Sequence, residues 1–256
     1  MPKKKTDDAH LKSVLKTLQV LEQFIDNNLE KGIHELSAST GIPVSTMQRL
    51  VNTLEARGYL MQNPRSYKYR LGLTLYHLYQ SYVHTFHWVD EARQYMQALV
   101  EKHGETVNLG CLEGRSVAYL TKVDSPHVLR PSYSIGARYP AYCSSLGKCL
   151  LAYQPEDTLK AILSNEEMTA RTNKTITTIS ELLTELKEVR RLGYAVDDEE
   201  SRDGLRCLAV PINNREGMVV AALSITAPTS RMPLDRLKVV KDDVVETAAK
   251  ISSLVY

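Results

Sequence analysis

KGIHELSASTGIPVSTMQRLVNTLEARGYLMQNPRSYKYRL, residues 31–71, sets two short helical patterns around a tight Gly-Ile-Pro turn, then a second glycine and a polar, basic hairpin. A helix over residues 35–40 is closed by Gly41, which takes the left-handed conformation at little cost, and Pro43 sits where a missing N–H breaks no bond. A second helix over 44–57 repeats Met47, Leu50, Val51 and Leu54 on one face, with Ser45, Gln48, Arg49 and Asn52 on the other. Residues 59–61 and 68–71 read as strands joined by a polar turn. The order helix, turn, helix, hairpin is that of a winged helix-turn-helix.

The polar face suits DNA. Ser45 and Thr46 stand at a helix N-terminus, where hydroxyls and free amides hold a phosphate; Gln48 and Asn52 can pair with adenine, and Arg49 with guanine or a phosphate. Arg65 and Lys68 in the hairpin are placed for backbone phosphates. A polar helical face is often merely solvated, but the hairpin beside it favours the DNA reading. Charge agrees: residues 1–70 hold 11 Lys plus Arg against 7 Asp plus Glu, net +4, and residues 71–256 hold 21 against 23, net −2. Lys3, Lys4 and Lys5 form a cationic arm that can displace counterions from DNA.

With 256 residues, 43% hydrophobic and 24% charged, the chain has material for two cores. The expected division is 1–71, DNA-binding; 72–90, a linker helix; and 91–256, a second domain. Ahead of the helix-turn-helix, Leu11, Val14, Leu15, Leu18, Leu21 and Ile25 form a stripe expected to pack across it. After it, Leu73, Leu75, Tyr76, Leu78, Tyr79, Tyr82 and Val83 continue a helical run that could be buried in one chain or against a second subunit. No apolar run approaches the length of a membrane span and no signal-peptide core opens the chain, so a cytoplasmic protein is expected, with no membrane partner. Cys111, Cys143, Cys149 and Cys207 lack metal-ligand spacing and read as reduced thiols; no metal or cofactor site is implied.

Residues 91–256 predict a helix near 92–99, a hairpin of strands 106–112 and 116–123, strands at 128–134, 193–197, 207–212 and 218–226, and helices near 144–153, 155–163, 180–192 and 233–254. The last carries Leu237, Val240, Val244, Ala248 and Ile251 inward. Tight turns at 113–115 and 213–217 argue for a largely antiparallel sheet with helices around it, an α+β domain.

Two segments look like site material. In residues 139–148, YPAYCSSLGK, a polar loop runs into a helix whose first turn offers Ser144, Ser145 and free N–H groups, a place for a carboxylate. The plainer alternative is that a serine simply caps the helix. Gly147-Lys148 is not a P-loop, since Tyr142 stands where the upstream glycine belongs and Cys149 follows the lysine. In residues 193–211, GYAVDDEESRDGLRCLAVP, four acids join two strands; they read as a solvated loop, with cation binding a weaker alternative, and no histidine makes Asp197 and Glu200 a catalytic pair.

Taken together, GIPVSTMQRLVNTLEARGYL, YRLGLTLYHL, ETVNLG, GARYPAYCSSLGKCLLA, LGYAVDDEESRDGLRCLAVPI and VVAALSITAPTSR resemble, in content and order, the IclR-type transcriptional regulators over nearly the whole chain. The resemblance implies a winged helix followed by an effector-binding domain related to GAF domains, working as homodimers or dimers of dimers (homotetramers) on a palindromic double-stranded operator, without enzymatic activity. Among such regulators the chain looks most like ketodeoxygluconate-type repressors of sugar-acid breakdown, which implies a carboxylate effector. Carried over by position, the DNA-reading residues are Ser45, Thr46, Gln48, Arg49 and Asn52. The pocket is lined by Cys143, Ser144, Ser145, Leu146, Asp197, Leu205, Cys207, Ser224 and Thr226. Val44 stands where Lys or Arg is frequent, His34 at a helix-capping position usually held by Ser, Thr or Asp, and Ser145 and Leu146 replace smaller residues of some relatives. A competing reading is a GAF-type cysteine-dependent enzyme using Cys143 or Cys207, targeted to DNA by the N-terminal module. A purely architectural DNA binder would leave the second domain without a purpose.

Overall fold

The computed structural model describes residues 11–25, 30–85, 87–131, 133–135, 138–164 and 167–255; the Lys3 to Lys5 arm and the side chains of Tyr82 and Val83 lie outside them. The chain divides into two compact units, Met1–Phe86 and His87–Tyr256.

In the first unit α1 (Lys12–Glu22), α2 (Ile33–Thr40) and α3 (Val44–Ala56) precede the strands β1 (Leu60–Gln62) and β2 (Tyr69–Leu71) and helix α4 (Leu73–Thr85). Gly41 closes α2 at φ 70°, its N–H donating to the Ser37 carbonyl at 3.0 Å, the left-handed cap that only glycine adopts freely. Met47, Val51 and Leu54 of α3 then meet Leu36, Ile42, Leu60 and Tyr69 in one core. The hairpin pairs Leu60 with Leu71 and Gln62 with Tyr69. Lys31 adds a bridge the sequence did not suggest, exchanging two 2.9 Å backbone hydrogen bonds with Tyr69.

Two expectations for this unit require correction. Helix α2 starts at Ile33, so Gly32 is the cap, and its N–H donates to the Glu35 carboxylate at 2.7 Å. His34 therefore lies inside the first turn. Reading the chain for capping side chains missed a cap that works through its backbone and a reaching glutamate. The stripe expected to pack inward from α1 is largely outside: Leu11, Val14, Leu15, Leu18 and Ile25 are exposed, while Val20 and Phe24 are buried and Leu21 half-buried. The helix ends at Glu22, and the core takes the Val20 and Phe24 face; the segment has apolar residues on two faces, so periodicity could not choose between them.

The second unit holds α5 (His87–His103), β3 (Thr106–Glu113), β4 (Ser116–Val123), β5 (Arg138–Pro140), α6 (Ser145–Ala152), α7 (Glu156–Leu163), α8 (Ile179–Leu192), β6 (Ala195–Asp198), β7 (Leu205–Asn213), β8 (Val219–Pro228) and α9 (Leu234–Ser252). The strands form one sheet in the order β5-β4-β3-β8-β7-β6, antiparallel at every pairing. No strand forms among the described residues of 128–134: Pro126 and Pro131 remove backbone donors, Val128 and Leu129 face outward, and the edge strand is Arg138–Pro140 instead.

Alternation along the strands sorts the two faces. Val117, Tyr119, Ala195, Ala209 and Ala222 pack with α6 and α8. Small residues lie beneath α6 because the helix comes close to the sheet. A side chain at Gly110 would press on Val117 and Leu146, and a Cβ on Gly147 would come within 2.1 Å of the Ala141 carbonyl oxygen. The whole of α6 is buried. The ETVNLG and SITAPTSR segments meet where the fully buried Glu105 accepts two hydrogen bonds from Arg231, at 2.7 and 2.8 Å. Arg236 lies 3.7 Å from the same carboxylate, so the buried Glu105 faces two guanidinium groups.

Candidate DNA-reading face and effector pocket

On α3, Ser45, Gln48, Arg49 and Asn52 are exposed and Thr46 is half-buried. Gln48 donates from Nε2 to Asn52 Oδ1 at 2.8 Å, so the two amides are mutually oriented. Thr46 and Arg49 also border a cleft with Lys12, Ser13 and Lys16 of α1, cations on the same surface that the sequence reading left out. In the wing, the exposed Arg65 has its backbone N–H on Asn63 Oδ1 at 2.9 Å, whereas Lys68 is held on Glu35 at 3.0 Å. With both side chains of that pair open to solvent, the contact is weak and a phosphate can replace the carboxylate.

In the second unit all nine residues expected to line a pocket, Cys143, Ser144, Ser145, Leu146, Asp197, Leu205, Cys207, Ser224 and Thr226, border one cavity of about 260 Å³. Their roles differ. Ser144 is the N-cap of α6: its Oγ accepts from the Gly147 N–H at 3.2 Å and donates to the Pro140 carbonyl at 3.2 Å. The plainer reading holds for that hydroxyl. The next two N–H groups, of Ser145 and Leu146, find no protein acceptor among the described residues, so the positive end of α6 opens on the cavity.

Asp197 faces the cavity but chiefly organises the loop after β6. Its Oδ1 accepts from the N–H groups of Glu200 and Ser201 at 2.8 and 3.2 Å, and its Oδ2 from the Ser201 hydroxyl at 2.5 Å. Burial raises its pKa despite those bonds. The acidic run is thus not a solvated loop. Asp198 is paired with Arg206 and Lys174, Glu199 with Lys174, and Glu200 with Lys148.

Lys148, 1% exposed, lies one turn along α6 from the cavity, its Nζ 2.5 Å from Glu200 and 2.9 Å from Glu185 of α8. Pairing with the two carboxylates outweighs burial and holds its pKa above the ordinary lysine value; burial pushes Glu200 up to about 7. The lysine that sequence reading only excluded from a P-loop ties α6 and α8 to the pocket-forming loop.

Tyr119, Tyr133 and Tyr139 form another wall, with Tyr119 and Tyr133 stacked at 4.9 Å and Tyr139 edge-on to both. Arg130, Arg171 and Arg202 stand at the rim. These were missed because three tyrosines from separate strands and loops have no common spacing; Tyr139, inside a quoted motif, was the available signal. Desolvation raises the Cys143 thiol to about 12 and Cys207 well above the ordinary value. Neither is disposed to exist as the thiolate that cysteine catalysis needs.

A winged helix with an exposed polar recognition face, on a chain whose second unit encloses a metabolite-sized cavity, defines a transcription regulator that binds DNA and a small-molecule effector. Residues 13–64 match the IclR helix-turn-helix domain, and residues 80–253 match the bacterial transcriptional regulator IclR C-terminal domain. The chain belongs to the IclR family. It is similar to the HTH-type transcriptional regulator KdgR of Escherichia coli K12, 39% identical over 241 residues that cover 94% of this chain and 91% of that one. It is similar also to the E. coli K12 HTH-type transcriptional repressor AllR, 30% identical over 92% of this chain and 87% of that one. An IclR homolog from Microbacterium hydrocarbonoxydans, solved in complex with 4-hydroxybenzoate, has the same fold, with a TM-score of 0.82 over 95% of this chain and 98% of that one at 23% identity. The protein is a transcriptional regulator and not an enzyme; the reading as a cysteine-dependent enzyme is set aside. Among the described residues no helix is long and apolar enough to cross a membrane.

Proposed function

We propose that the protein is a repressor of a catabolic operon, released from its operator by a sugar acid or similar carboxylate held in the cavity. The observation that carries this reading is the open N-terminus of α6. Two N–H groups without protein acceptors, Ser145 and Leu146, face a space bordered by Ser224 and Thr226 hydroxyls and by the Asp197 carboxylate. The first group suits an anion, the others the oxygens of a polyol. The likeness to KdgR supports a sugar acid, the likeness to AllR, a transcriptional repressor, supports repression, and the 4-hydroxybenzoate complex is of a carboxylate with a protein of this fold.

The DNA-binding form we propose is a dimer or dimer of dimers on a palindromic operator, in the cytoplasm. Leu15 and Leu18 of α1 and Leu73, Tyr76, Leu78 and Tyr79 of α4 are exposed in the single chain, and self-association would remove that apolar surface from water. An effector that favours one arrangement of the dimer changes operator affinity by that difference in binding and by no more.

The test is footprinting of DNA upstream of the protein's own gene, with and without a panel of sugar and aromatic acids. Replacing Ser144 and Ser145 together by alanine should leave the footprint intact and abolish its response to the active acid, with affinity for that acid lowered at least ~tenfold, because the α6 N-terminus loses the cap that holds its N–H groups in place and the cavity loses the Ser145 hydroxyl. Loss of the footprint with acid binding retained would refute the assignment.

A further inference from the structure

We propose that Glu30, an acid set among the cations of the hairpin, is a positioning residue for DNA binding: it fixes the turn at the wing tip that carries Arg65 to a backbone phosphate. The inference rests on Arg65 meeting a phosphate, the DNA contact read for the hairpin above.

By charge alone Glu30 is out of place. Hydrogen bonds from Asn63 and Ser66 hold its carboxyl below the usual carboxylate range, so at neutral pH it is an anion on a surface that should attract DNA. Its geometry gives it another use. The backbone bridge between Lys31 and Tyr69 sets it beside the hairpin, where Oε1 accepts from Asn63 Nδ2 at 2.8 Å and Oε2 from the Ser66 hydroxyl at 2.9 Å. Residues 63 and 68 close the turn: the Asn63 N–H donates to the Lys68 carbonyl at 2.8 Å, and the Tyr67 N–H to the Asn63 carbonyl at 2.9 Å.

Tyr67 turns the chain at φ 56°, the left-handed region that crowds any residue with a Cβ. The turn is braced by the Asn63 side chain, whose Oδ1 accepts from the N–H groups of Arg65 and Ser66 at 2.9 and 3.4 Å. An amide can do that only with its oxygen turned inward. Glu30 decides the matter, because a carboxylate accepts and never donates; it draws Nδ2 to itself and leaves Oδ1 to the turn. The Ser66 hydroxyl is set in the same way, giving its proton to Glu30 and offering its oxygen to the Lys68 N–H at 3.3 Å. Arg65, its side chain exposed, is thereby carried on a fixed loop.

The experiment is a fluorescence-anisotropy titration of the full chain against a labelled mixed-sequence duplex over a range of salt, since a phosphate contact needs no operator. Arg65→Ala should weaken binding ~tenfold and lower the slope of log affinity against log salt by about 1. Glu30→Ala should weaken it about three- to tenfold and lower the slope in the same direction, although it removes a negative charge. Glu30→Gln, whose amide lets Asn63 face either way, should fall between, and carries the comparison if a melting curve shows that the alanine variant has lost its fold. Asparagine enters the left-handed region more readily than tyrosine. In a Tyr67→Asn background Glu30→Ala should therefore lose less than half as much in log affinity, a coupling that removal of a charge does not produce. With Arg65→Ala weakening binding, Glu30 variants that bind as tightly as the unaltered chain, or more tightly, would overturn the inference; so would an equal loss in both Tyr67 backgrounds. Arg65→Ala without effect would take the wing off the DNA, and the inference with it.

Discussion

Lys148→Met is expected to cost the second unit about 3–5 kcal/mol of stability, the usual penalty for leaving a buried charge without its counterion. The lysine is fully buried, and Glu200 offers it Oε1 while Oε2 has no partner at all. Remove the ammonium and Glu200 keeps its desolvation with nothing to offset it. Glu185 is a third exposed and can turn to water, so most of the loss belongs to Glu200. Chemical denaturation at pH 8 would read the loss directly, and Lys148→Met combined with Glu200→Gln should recover much of it, because the amide carries no charge to strand. A single-variant loss below about 1 kcal/mol would show that the cluster does not hold α6 to the loop.

The same cluster fixes a pH dependence. Lys148 faces Glu200 and Glu185, with the Asp197 carboxylate close by, so one ammonium serves three carboxylates. Lys148, its pKa raised, stays charged throughout the neutral range. Glu200 is raised from an ordinary 4.5 to about 7, so between those values the folded chain binds a proton that the unfolded chain has released. Its contribution to stability is therefore complete below pH 4.5 and is lost as pH rises through 7. Asp197, also raised by burial, acts in the same sense, while Glu113, lowered by Arg138, and Asp198, lowered against burial by Arg206 and Lys174, act in the opposite sense at more acid pH. The slope between pH 5 and 8 should accordingly shrink in Glu200→Gln while the acid limb persists.

How legible such features are in the sequence depends on how local their causes are. The helix-turn-helix was readable because Gly41, Pro43 and the spacing of Met47, Val51 and Leu54 act within a few residues. Strands bounded by tight turns were readable for the same reason, and Pro131 inside 128–134, with Pro126 just before it, argues against the strand expected there. Helix α1 failed because its two apolar faces pose a choice only the partner surface resolves. Of the pocket, the segments carrying Ser144, Ser145 and Asp197 drew notice by their own composition, while Leu205, Cys207, Ser224 and Thr226 were placed by family resemblance. The Lys148 to Glu200 pair joins residues 52 apart, and the hydrogen bond from Asn108 to Thr226 spans 118. Neither has a spacing that a one-dimensional pattern can hold: the packing of α6 on β6 brings the first pair together, and the pairing of β3 with β8 the second.

Arg49→Ala should weaken operator binding about 10- to 100-fold, the loss expected for a guanidinium on a base edge or a phosphate, while affinity for the effector, bound in the other unit, stays as it was. Unchanged operator affinity would remove Arg49 from the interface. What Arg49 touches can be separated by two further readings. It stands beside Gln48 and Asn52 on the exposed face of α3, yet it also borders the cleft with Lys12 and Lys16. If it reads guanine, Arg49→Lys will not restore binding, since an ammonium lacks the planar fork, and discrimination at one base pair will relax. If it holds a phosphate, lysine will restore most of the affinity, the loss in the alanine variant will be uniform across sequences, and the slope of log affinity against log salt will fall by about 1. Lys12→Ala and Lys16→Ala then supply the comparison, because an ammonium has no planar fork and acts on DNA chiefly as a point charge toward phosphate. A shared salt response would place Arg49 in that cationic cleft and leave base reading to Gln48 and Asn52, whose mutual hydrogen bond already fixes which way each amide faces.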